Sequence, residues 1–200
     1  MANNLNTLRN LLLLTLALLA GIVVAYLISP RNSSPEQPLL HKLGGDFTLQ
    51  GSQGEVSLEN YRDNVVVMYI GYTHCPDVCP TSLAVMSQAL KQLNETELAQ
   101  VQPLFISVDP DRDSPERLAE YSQFFHPKLA GLTGSKKDID LLVNQYGAFY
   151  RIVEMKDSAM GYAVDHSSRI YLINKQGELS KALMHGSMPD QVVTEIRALL

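Results

Sequence analysis

The stretch YIGYTHCPDVCPTSL, Tyr69 to Leu83, holds the only two cysteines of the 200-residue chain. Cys75 and Cys79 stand four positions apart, each followed by proline, with Asp77 between them. Paired thiols so spaced can exchange with another disulfide, hold a metal ion, or close a structural disulfide. Thioredoxin-type oxidoreductases use C-x-x-C, so C-x-x-x-C makes a wider loop. Sulfurs in a disulfide lie about 2.05 Å apart. Two sulfurs each about 2.3 Å from one ion, at 120°, lie roughly 4 Å apart. A flexible loop of this length permits both states.

The elements around the pair sharpen the chemistry. NVVVMYIGY carries a continuous β-branched run, Val65 to Ile70, the pattern of a strand buried on both faces. After the cysteines, Pro80 suits a first helical turn, and Leu83, Met86, Leu90 and Leu93 fall on one helical face. The pair therefore sits where a buried strand hands over to a helix. Free backbone N–H groups and the dipole at a helix start favour negative charge, so thiolates are expected at both positions. Thiolate is the form that attacks disulfides and binds metals.

A third ligand must come from one of five histidines. His41 adjoins a linker, His126 follows a helix and His185 ends a strand, so each is expected on the surface. His74 adjoins Cys75, but neighbouring side chains in an extended loop point apart. His166, in GYAVDHSSRIYLI, immediately precedes a late strand. In a thioredoxin-like layout that loop faces the cysteine pair. Two sulfurs and an imidazole suit cuprous ion and tolerate zinc, and Asp165 could orient the ring.

The rest of the domain reads as a hairpin around Gly51 to Gly54, then the strand and helix just described. A second buried strand follows at Val101 to Asp109. Helices come next, one opened by Ser114 and Pro115 and one from Ser135 to Tyr146. A hairpin with strands Arg169 to Ile173 and Glu178 to Met184, and a helix opened by Pro189, close the chain. This order gives an α/β domain with a central mixed sheet flanked by helices, which has a thioredoxin-like layout.

Ahead of the domain, Leu11 to Ile28 carries no charge. Eighteen such residues are at the short end of a transmembrane helix. A cleavable signal peptide has a shorter apolar region and a small-x-small site outside it, so an uncleaved anchor over residues 1–29 is the expectation. SPRNSSPEQP then supplies a linker, residues 30–38, and the domain runs over 39–200. One basic residue on each side of the span leaves orientation undecided by charge. A lone N-terminal apolar segment is usually an export device, which places the domain outside the cytoplasm. A domain of this length buries roughly 70% of its unfolded surface and needs no disulfide. Net charge is −5, without the clustered basic footprint that nucleic acid requires.

GYTHCPDVCPTSL, SVDPDRDSPERLAEY, LTGSKKDI and YAVDHSSRIYLINKQG together resemble the Sco/SenC family of copper proteins. His166 follows Cys79 by 87 positions. The resemblance implies a thioredoxin-like fold and copper held by Cys75, Cys79 and His166. It implies a domain on the periplasmic side of the inner membrane, tethered by a single pass. The cargo would go to the CuA centre in subunit II of cytochrome c oxidase, with another copper carrier or a thiol reductant as a further partner. Asp77 matches the aspartate of the family motif and would tune the site, meet a partner or shape the turn. Asp111 and Asp113, in the acidic DPDRDSPE loop, could dock a partner. Reduction of the CuA cysteines by the same thiol pair is the competing function. A thiol peroxidase fits less well, because two close cysteines and a distant histidine are unnatural there.

Overall fold

The computed structural model describes residues 10–22, 43–155, 158 and 160–200. The chain divides between Pro38 and Leu39 into two units. In the first, residues 10–22 form helix α1, whose leucines are exposed. Among the described residues no helix is long and apolar enough to cross a membrane. The remainder of the expected anchor, the linker and His41 lie outside the described residues.

The second unit opens with the expected hairpin, β1 (Thr48–Gly51) and β2 (Gly54–Ser57). A five-stranded sheet follows in the order β5-β4-β3-β8-β9. Strands β3 (Val65–Gly71), β4 (Val101–Ser107) and β5 (Ala130–Leu132) run parallel. Strands β8 (Arg169–Ile173) and β9 (Leu179–Met184) add an antiparallel hairpin on the other edge of β3. All seven residues of β3 are buried, as a strand covered on both faces demands. Each large aliphatic side chain so buried contributes about 1.5–3 kcal/mol.

Helices α2 (Val78–Lys91), α3 (Glu95–Ala99), α4 (Pro115–Phe125), α5 (Lys136–Gln145) and α6 (Pro189–Arg197) flank this sheet. Helix α2 packs against β3, α4 and α6, with Leu83, Met86 and Leu90 buried. The start of α4 follows its sequence signal: Ser114 Oγ accepts from the Arg117 N–H, and Pro115 occupies the first turn.

Sequence reading did not anticipate the 3-10 turn Leu58–Tyr61, α3, β5, or a separate two-stranded ribbon of β6 (Tyr150–Glu154) and β7 (Tyr162–His166). Strand β5 is only three residues long and α3 only five, so neither offers a periodic signal to read. The ribbon pairs with itself, in register Tyr150↔His166 to Glu154↔Tyr162, and joins no strand of the main sheet.

His126, expected on the surface, is buried at the end of α4. Its Nδ1 accepts the Lys128 N–H at 3.1 Å. Burial, then the charges of Lys91 and Lys128, hold its pKa below the ordinary 6.5. The unfolded chain therefore binds this proton more readily, so stability falls as pH drops below 6.5 towards the lower native value. His126→Asn, whose amide oxygen can still accept from Lys128, should flatten that loss. Denaturation midpoints measured on either side of 6.5 check this; equal acid losses in both proteins would contradict it.

Candidate metal centre

Strand β3 ends at Gly71, and after six intervening residues α2 begins at Val78. This short path lifts Cys75 into a half-buried loop and drives Cys79, in the first turn of α2, wholly into the core. Room for the second sulfur comes from Gly71. A Cβ there would lie 2.7 Å from Cys79 Sγ, 3.1 Å from the Tyr69 ring and 3.2 Å from the Phe105 ring. None of these is the free end of a flexible chain. Gly71→Ala is therefore expected to displace Cys79 and weaken metal binding by about tenfold or more, as losses of supporting groups around metal ligands do. Competitive metal titration measures this; unchanged affinity would show that the sulfur has slack.

The loop is tied down by a group that sequence reading misplaced. Asp113 was expected to face a partner, yet its carboxylate is fully buried. It accepts the Thr73 N–H at 2.9 Å, the Thr73 hydroxyl at 2.5 Å and the Ser107 hydroxyl at 2.5 Å. Arg117 Nε donates to the same Thr73 hydroxyl at 3.0 Å. Burial without partners is costly for a carboxylate, so it turns inward only where donors converge. Of the two acidic residues, Asp111 alone remains exposed. His74 Nδ1 lies 3.3 Å from the Thr73 hydroxyl and 3.7 Å from Asp113, and His74 is no member of the Cys75–Cys79–His166 donor group.

His166 is the last residue of β7, where sequence reading placed it in a loop. Its Nε2 lies 3.1 Å from Cys79 Sγ, and its Nδ1 lies 3.1 Å from the Ser167 carbonyl. A carbonyl can only accept, so Nδ1 carries a hydrogen and Nε2 is the nitrogen turned towards the sulfurs. Tyr69 and Tyr72 meet the ring edge-on, with centroids 6.2 and 5.8 Å away. Cys75, Cys79 and His166 thus bring their donor atoms within 4.8 Å of one another. That spread is close to the roughly 4 Å between donors that share one ion. The site opens on a 530 Å³ cleft whose walls include Val78, Phe149 and Arg151.

Of the two aspartates, Asp165 departs from expectation. Asp165 does not orient the imidazole. Successive strand residues point to opposite faces, and its carboxylate pairs with Arg151 across the ribbon at 2.6 Å. The Ser167 carbonyl takes the orienting role. Asp77 is exposed at the N-terminus of α2 and its side chain caps nothing. Its backbone N–H, with that of Cys79 at 3.5 Å, is directed at Cys75 Sγ.

The sulfurs are not equivalent. A hydrogen bond from Cys79 holds Cys75 far below the usual thiol range, helped by His166 and by the amides of Asp77 and Cys79, against partial burial. Cys79 is pushed up by the same hydrogen bond, by burial, and by the charge on Cys75. The outer sulfur is thus the one favoured as thiolate, and the buried sulfur holds its proton more tightly. Two soft sulfurs and a preset imidazole suit cuprous ion, or zinc as a borderline cation.

A family model described as SCO1/SenC matches residues 35–200. A SCO2-like protein of Rickettsia conorii is 35% identical over 196 residues, covering 93% of this chain and 95% of that one. The structure of Bradyrhizobium japonicum ScoI with copper bound gives a TM-score of 0.71 at 33% identity, covering 79% of this chain and 99% of that one. BsSco, described as having a disulfide switch and as a member of the Sco family of cytochrome c oxidase assembly proteins, gives 0.62 at 26% identity. That match covers 80% of this chain and 94% of BsSco.

Proposed function

The chain belongs to the SCO1/SenC family, and from that premise we propose that it carries copper, as cargo, for the assembly of cytochrome c oxidase. The observation that carries this reading is the convergence of Cys75, Cys79 and His166 within 4.8 Å. The tautomer set by Ser167 leaves Nε2 ready to bind, and Cys75 already holds charge. The Cys79 proton has to leave when the ion enters, because a bound thiol must be deprotonated.

The recipient is the CuA centre in subunit II of the oxidase. The apolar run Leu11 to Ile28 supports a tether in the inner membrane with the domain on the periplasmic side. A tether raises the effective concentration of carrier beside a membrane-bound recipient. Another copper carrier, or a reductant for the thiol pair, precedes it.

Titrating copper into the reduced domain from residue 39 onward tests the reading. One ion per domain is expected, with Cys75→Ser or Cys79→Ser each abolishing tight uptake. Stoichiometric, tight copper in either serine variant would defeat the assignment.

A second reading rests on the sulfur asymmetry. A low-pKa, half-exposed Cys75 backed by a buried Cys79 is also the arrangement of an attacking and a resolving thiol. The same pair could reduce the cysteines of the CuA centre before copper arrives. That work needs no imidazole, so the dependence on His166 separates the two.

A further inference from the structure

The ribbon that carries His166 makes no ladder with the main sheet, so something else must hold the imidazole over the sulfurs. Arg112, in the loop after β4, is placed to do so. Its Nη1 donates to the backbone carbonyls of Met160 at 3.3 Å and Tyr162 at 3.0 Å, at the start of β7. Its Nε donates to the buried Asp109 at 2.5 Å. The guanidinium lies 3.6 Å over the Tyr162 ring and 5.7 Å from the ring of Tyr72, which itself abuts His166. Tyr162 completes the circuit, its hydroxyl donating to Asp109 at 2.7 Å.

A planar, permanently charged fork is suited to this task. It can stack on an aromatic face and bind two carbonyls and a carboxylate at once. The contact is also largely withdrawn from water, with the Arg112 side chain 16% exposed and Asp109 2%. Tyr150 gives a second hold at the other end of the ribbon, through Asp140 at 2.6 Å. That bond reaches the ribbon by a side chain only, whereas Arg112 binds its backbone.

We propose that Arg112 is a positioning residue: it clamps the β6–β7 ribbon to the β4 loop and thereby sets how firmly His166 is kept in the metal centre. This deepens the copper-carrier reading and rests on it for the consequence, retention of the cargo. The clamp itself is a property of the metal-free protein. Neither Arg112 nor Tyr162 touches the ion, so both act through the imidazole.

Three variants test it. Arg112→Met keeps the aliphatic stem and removes charge and donors. Arg112→Lys keeps a cation over Tyr162, and Tyr162→Phe removes only the bond to Asp109. In metal-free protein, Arg112→Met should speed amide exchange across β6 and β7 by about tenfold or more while β3, β4 and β8 keep their protection, as for a locally opening unit. Arg112→Lys should recover part of this, and Tyr162→Phe should show a smaller change of the same kind. Copper competition should then give a loss of about 10–100-fold for Arg112→Met, and no further loss when it is added to His166→Ala.

Unchanged ribbon exchange in Arg112→Met, or an equal loss on the His166→Ala background, would overturn the proposal. If Arg112→Met loses protection everywhere, the milder Tyr162→Phe decides by whether its ribbon exchange rises alone. A wild-type domain that takes up no copper would sink the carrier reading, and the exchange arm would still decide the clamp.

Discussion

Asp113→Ala is expected to cost about 3–5 kcal/mol, the largest stability loss of any single change near the metal centre. Removing the carboxylate strands the Thr73 N–H, which cannot turn away, and leaves the Thr73 and Ser107 hydroxyls to find other acceptors. Each buried donor left unmade costs about 1–3 kcal/mol, and hydroxyls recover part of it by rotating. Against a typical total of 5–15 kcal/mol, such a loss leaves the domain marginal. Asp113→Asn should fall between the two, because its amide oxygen can serve one donor while its NH₂ faces another. Chemical denaturation of the reduced domain measures both. A loss under about 1 kcal/mol for the alanine variant would mean that water replaces the carboxylate without penalty.

Why Asp113 was misread from sequence is instructive. The acidic run DPDRDSPE looks uniformly solvated, because charge and hydrophilicity carry no direction. Asp113 turns inward because Thr73 and Ser107 converge on it, and that meeting of two strand ends is absent from the chain order. The same holds for His126 and for the Arg112–Tyr162 contact, each defined by partners remote in sequence. By contrast, β3, β4 and α2 were legible, since their burial follows from local periodicity. Cys75, Cys79 and His166 were legible through motif and layout, although the ribbon carrying the imidazole was not. Asp165 misled for a simpler reason: its nearness to His166 in sequence is undone by alternation along a strand.

His166→Ala is the second large effect. On the proposed reading it should weaken copper binding by on the order of a hundredfold or more, since even supporting groups behind a ligand cost 10–100-fold. Both sulfurs should stay reduced, with Cys75 open to thiol reagents, and the fold should hold, because the ring sits half-buried at the site rather than in the core. Complementation of oxidase assembly in cells gives the sharper reading. Loss of assembly together with loss of affinity supports metal delivery. Full assembly by a variant that no longer retains copper would instead favour the thiol–disulfide role of Cys75 and Cys79.

The unequal burial of the two sulfurs gives the exchange a direction. Cys79 lies wholly within the core, while Cys75 and His166 border the cleft. An incoming donor from an acceptor protein can approach only from that open side. If the chain carries copper as proposed, the outer sulfur and the imidazole would be displaced first and the inner sulfur last. On the copper-carrier reading, the last bond to the cargo would then be the one that solvent reaches least.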